Sequence, residues 1–138
     1  MPSKSETTWA LACHLSALTG FVGVPFGNVF GPLVVWLMGR NESPFVDEHG
    51  REALNFHVSL VIYSVATLSL FILPIFLFLG GISFKSWHLG LAALFMFILA
   101  VVVHVAIYVG GVYCTIKAAI RASEGQRYLY PFCLQLFR

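Results

Sequence analysis

The side chains best suited to chemistry in this sequence are five histidines, two of which sit among apolar residues. His104 lies near the middle of a long uncharged stretch, and His14 lies within the first apolar piece. An ionisable group at membrane depth marks a functional position by default. Two such imidazoles on facing helices could ligate a haem or another pigment, and His57 is a third candidate. The plainer state is a neutral ring bonded to a backbone carbonyl. It is the favoured one, because nothing in the spacing of His14 and His104 makes them face each other. His57 stands beside Asn55 and Glu52 at the edge of an apolar stretch, where water is expected to satisfy it.

Glu48, His49 and Glu52 look like a set of metal ligands. On a helix, however, Glu48 and Glu52 share a face while His49 points about 100° away from Glu48. No H-E-x-x-H pattern is present. Solvated charges at a membrane surface are the expected reading, with Asp47 and Arg51 four apart and able to pair. Cys13, Cys114 and Cys133 have no metal-site spacing, and an odd number makes no disulfide framework. With no nucleophile–base pair, phosphate loop or metal set, no catalytic residue, metal or cofactor is expected, and the chain reads as a non-enzyme.

Asn28 interrupts an apolar region and is flanked by Pro25, Gly27, Gly31 and Pro32. Broken helices with such residues line substrate sites in transporters. The simpler expectation is that Asn28 caps the turn.

The elements that must position these groups follow from hydropathy and charge. Hydrophobic residues make up 59% and charged residues 10%, against roughly 45–50% and about 25% in soluble domains. The excess apolar surface therefore faces lipid. A net charge of +2 without a basic stripe excludes a nucleic-acid partner.

The expected fold is all-α and integral to the membrane. Residues 8–38, starting at Thr7 or Thr8, form either a broken helical hairpin or one kinked crossing; the hairpin is favoured because the second half rises only about 15 Å and cannot span alone. Residues 43–54 form an interfacial helix capped by Ser43 with Pro44 in its first turn. It runs into a transmembrane helix at 55–79, kinked by Pro74 and ended by a loop that begins at Gly80-Gly81. A second, longer transmembrane helix covers 89–116, with Gly125 as the stop beyond it. Residues 126–138 are a short interfacial tail.

Basic residues orient the chain. Arg40 and Arg51 precede the two spans, Lys117, Arg121, Arg127 and Arg138 follow them, and Lys85 alone lies between. The positive-inside rule puts the C-terminus in the cytoplasm, and the hairpin reading puts the N-terminus there too. On the second span Ala106, Gly110, Cys114, Ala118 and Ala122 recur every four residues. Such a stripe lets another backbone approach, either within this chain or on a partner.

Three strings occur together: WALACHLSAL at 9–18, PFGNVFGPLVVW at 25–36 and SPFVDEHGREALNF at 43–56. With IKAAIRA at 116–122 and Tyr130-Pro131, they resemble the Tic-twenty-like bacterial membrane protein family of unknown function, which is related to a subunit of the chloroplast inner-envelope import translocon. The resemblance implies a small four-helix fold in the bacterial inner membrane. It places His14, Asn28, Asp47, Glu48, His49, Gly50, Glu52, Asn55 and Tyr130-Pro131 on family-typical positions. His57, where that family more often has Gln, and Cys133 and Gln135 depart from its pattern.

The function expected is that of a non-enzymatic accessory or scaffold subunit. It would contact membrane lipids and either another integral membrane protein or further copies of itself. The alternatives are a transporter or protein-translocation component, and a haem- or pigment-binding redox subunit.

Overall fold

A computed structural model of the chain describes residues 1–137, with Phe21 described by its backbone alone; Arg138, counted above with the orienting basic residues, lies outside them. Among the described residues every regular element is a helix, and there is no strand. Helix α1 (Lys4–Leu15) starts at Ser3, earlier than Thr7 or Thr8. The Ser3 hydroxyl accepts the Glu6 N–H at 3.3 Å, and the Glu6 carboxylate accepts the Ser3 N–H at 2.5 Å. This reciprocal box satisfies two N–H groups that a helix start leaves unpaired. Thr7 and Thr8 instead bond back to the Lys4 carbonyl inside the helix.

A 3₁₀ turn, Ser16–Val22, carries the chain to Gly23, whose φ of 88° closes it. Helix α2 (Gly27–Gly39) then packs back on that turn. Asn28 falls inside α2, so it does not cap the turn; Phe26, with a φ of 54°, takes the boundary position. The close approach depends on Gly31, because a Cβ there would lie 2.2 Å from the Ser16 carbonyl oxygen.

Helix α3 (Pro44–Leu68) begins at Ser43, whose hydroxyl accepts the Val46 N–H at 3.4 Å. One continuous helix therefore carries both the charge-dense residues and the start of the apolar run. Pro74 has no N–H to offer the Leu70 carbonyl, and the helix tightens to a 3₁₀ turn at Ser69–Phe71 before α4 (Ile72–Ser83). Gly80 and Gly81 do not open a loop. They lie inside α4, where a Cβ on Gly81 would sit 3.2 Å from the Gly90 nitrogen, and the turn comes later, at 84–86. Helix α5 (Trp87–Ser123) follows and stops before Gly125, which has a φ of 73°.

The most apolar 18-residue windows of Pro44–Ser83 and Trp87–Ser123 have mean hydropathies of 2.4 and 2.7, and only 6% and 11% of those windows is buried within the described residues. Such side chains need hydrocarbon around them, and these are the two stretches able to cross a membrane. The chain divides into two compact units. One joins residues 1–59 to 111–138, and the other comprises residues 60–110.

Two glycine substitutions separate contact from propensity. Gly31→Ala should destabilise the first unit by about 1–3 kcal/mol through overpacking against backbone. Gly110→Ala, whose Cβ meets nothing within 4 Å, should be neutral or stabilising by up to about 1 kcal/mol. Thermal unfolding of the detergent-solubilised variants checks both.

Candidate functional site

Helix α1 turns Ala10, Cys13 and His14 inward. His14 is fully buried and uses both ring nitrogens. Its Nε2 lies 2.9 Å from Nδ1 of His49, and its Nδ1 lies 2.9 Å from the Tyr130 hydroxyl. Each contact holds one proton, so the tautomers of the two rings and the direction of the phenol O–H are set together. His49 Nε2 is buried with no hydrogen-bond partner. Phe45 lies against the His49 ring, and Phe56 stacks on Tyr130 at 4.0 Å.

This chain of groups works while it is uncharged. Burial, reinforced by His49 nearby, pushes the His14 imidazole down to about 3. Burial likewise pushes the Tyr130 phenol well above its ordinary value. Both therefore remain neutral at physiological pH.

The C-terminal segment has no regular structure, so its backbone needs partners elsewhere. Asn55 supplies them. Its Nδ2 donates to the Phe137 carbonyl at 2.9 Å, and its Oδ1 accepts the N–H groups of Leu136 and Phe137 at 3.0 and 2.7 Å. One helical turn on, the Ser59 hydroxyl accepts the Leu134 N–H at 2.9 Å while donating to the Asn55 carbonyl at 2.6 Å. Glu48 pairs with Arg127 at 3.1 Å at the strap's start.

Trp36 ties α2 to α3. Its indole lies on Gly50, where a Cβ would come within 2.1 Å of the ring, and its Nε1–H donates to Asp47 at 2.9 Å. Asp47 also pairs with Arg51 at 2.7 Å. Glu48, Arg51, Glu52, Asn55, Gln135 and Phe137 border a polar cavity of about 240 Å³.

The first unit thus brings His14, His49, Asp47, Glu48, Glu52 and Asn55 together. His104 falls in the second unit, where its Nδ1 lies 3.0 Å from the Thr67 hydroxyl. None of the three apolar-region histidines uses a backbone carbonyl. His14 and His104 have ring and hydroxyl partners, and His57 Nε2 lies 3.3 Å from the Thr115 hydroxyl. His57 is buried and does not lie open to solvent at the edge of the apolar stretch as expected. The small-residue stripe divides. Ala118 and Ala122 are buried and Cys114 is half-buried, whereas Ala106 and Gly110 are exposed. Among the described residues, no three His, Cys, Asp or Glu side chains are grouped to hold a metal ion.

Sequence reasoning missed Ser59, Thr115 and Trp36. One signal was available: Glu52, Asn55 and Ser59 are spaced by three and four, a polar line on one face of an otherwise apolar helix.

The profile of the MamF/MmsF family, described as a magnetosome magnetite crystal formation protein family, matches residues 5–137. The chain belongs to that family. No curated protein and no solved structure matches the chain. The likeness to the Tic-twenty-like family is thereby corrected. The strings that carried it perform architectural tasks here: Gly31 meeting Ser16, Gly50 under Trp36, and Asn55 on the strap. Such tasks identify a way of packing and do not by themselves identify a family. The MamF/MmsF profile spans the same strings and the strap that they hold.

Two measurements test the site. Asn55→Ala leaves up to three main-chain groups unpaired, each worth about 1–3 kcal/mol when buried. The strap should then release, and carboxypeptidase should trim it much faster than in the wild type. For acid, the folded-state value of about 3 at His14 lies below the ordinary 6.5. The unfolded chain therefore binds more protons between these values. The contribution of His14 to stability should be complete above pH 6.5 and fall as pH drops from there toward 3, read as a declining Tm.

Proposed function

We propose that this chain is a non-enzymatic accessory subunit of the magnetosome membrane, acting in magnetite crystal formation as a scaffold. The observation that carries this reading is where the first unit's polar side chains are directed. Asn55, Ser59, His14 and Tyr130 bind other segments of the same chain, so their chemistry maintains a shape. Family membership supplies the process that this shape serves.

In this reading residues 8–38 form a hairpin that enters and leaves on one side, while 55–79 and 89–116 cross the bilayer. Arg40, Arg51, Lys117, Arg121 and Arg127 orient the first unit toward the cytoplasm by the positive-inside rule. The exposed pair Ala106 and Gly110 is the docking position for another membrane protein or a second copy. The transporter or translocation reading drew on the broken first element and Asn28 as well as on the corrected resemblance, and it loses the last of these supports.

Deleting the gene in a magnetite-forming host, and restoring it as wild type or Asn55→Ala, tests the proposal. Electron microscopy should find crystals of altered size or habit in the deletion, recovery with the wild type, and incomplete recovery with the variant. Total cell iron should stay unchanged throughout. Normal crystals in the deletion, or a defect confined to iron uptake, would sink the idea.

A further inference from the structure

Beyond the scaffold role, we propose that the tip of the transmembrane hairpin is a binding site for one acyl chain of an anionic phospholipid. A groove of about 570 Å³ runs between α4 and α5, within the size range of small-molecule sites. Every residue bordering it is apolar or glycine. Ile75 and Phe78 form one wall, and Leu91 and Leu94 the other. At the inner end the Phe71 ring lies edge-on to Phe97 at 5.5 Å. The groove extends from Trp87 to Phe97 along α5, a rise of about 15 Å, or one leaflet's share of the hydrocarbon core.

Gly90 keeps this groove open. Gly81 is pressed against backbone, but a Cβ on Gly90 would meet nothing within 4 Å. Gly90 is thus the backbone that Gly81 approaches, while its own missing side chain leaves the space beside it open. The rim supplies the other half of a lipid site. Trp87 is exposed there, as amphipathic rings are at headgroup depth. Two residues earlier, exposed Lys85 occupies the turn with a φ of 51°. It is the one formally charged side chain between Glu52 and Lys117. A slot one leaflet deep and apolar throughout, with a cation in the turn next to the Trp87 that borders it, matches a phospholipid whose headgroup is negative.

The full chain, reconstituted in phosphatidylcholine nanodiscs with a trace of diazirine-acyl phosphatidylglycerol or diazirine-acyl phosphatidylcholine, provides the test, with photolabelled residues mapped by mass spectrometry. Labelling should concentrate at Ile75, Phe78, Leu91 and Leu94, with about a fivefold preference for phosphatidylglycerol, the size expected of one lysine near anionic headgroups. Gly90→Leu should remove most groove labelling by both probes. Lys85→Glu should retain labelling and abolish the preference. Val102→Phe, outside the groove, should change neither, and circular dichroism verifies that all variants are folded. Three outcomes would overturn the proposal: label spread evenly over the exposed helix faces, groove label unaffected by Gly90→Leu, or crosslinks joining the groove to a second copy. None of these depends on whether crystals change in cells.

Discussion

A main chain without helix or sheet must find hydrogen-bond partners one group at a time, and the strap at 126–137 is such a chain. An unpaired buried N–H or carbonyl costs about as much as a good hydrogen bond contributes. Asn55 resolves this because its side-chain amide is a peptide group in miniature, able to accept and donate at once. It engages Leu136 and Phe137 from within α3 while its own carbonyl anchors Ser59. The position of Tyr130, and through it the environment of His14, depends on the strap lying here.

The histidines show the complementary principle. A charged imidazole in an apolar interior is costly, and two in contact are costlier still. His14 and His49 meet at 2.9 Å because both are neutral, and neutrality makes their ring nitrogens a donor and an acceptor. In the second unit His104 Nδ1 meets the Thr67 hydroxyl at 3.0 Å. In this geometry His14, His49 and His104 join one segment to another through ring nitrogens. The wider pattern is a division of labour. The first unit holds its segments by polar contacts, and the second presents apolar side chains outward with few of its own buried.

Much of this could be read in the sequence, and the reasons are specific. The two long apolar helical stretches were legible because uncharged runs of that length are plain in the sequence. The start of α3 was legible because Ser43 and Pro44 act locally. The Asp47–Arg51 pair was legible because four-residue spacing on a helix is geometry. The partners of His14, Asn55 and Ser59 were not, because they lie far away in sequence at 49, 130 and 134–137. Local signals also misled where tertiary contact overrides them. Gly80-Gly81 reads as a loop but serves close approach to Gly90 inside a helix. Thr7 and Thr8 are good caps but were outcompeted by the reciprocal pair at Ser3 and Glu6.

At its far end the C-terminal strap is gripped chiefly through its backbone: Leu134, Leu136 and Phe137 are held by N–H and carbonyl groups while their side chains remain exposed. Recognition of that kind is blind to identity and strict about count. Leu134 and Leu136 are therefore interchangeable for most amino acids other than proline, whereas the Phe137 ring also meets Trp36. Adding or removing a single position between Tyr130 and Leu134 would throw two anchors out of phase, so drift in this segment should accumulate as replacements and not as changes of length.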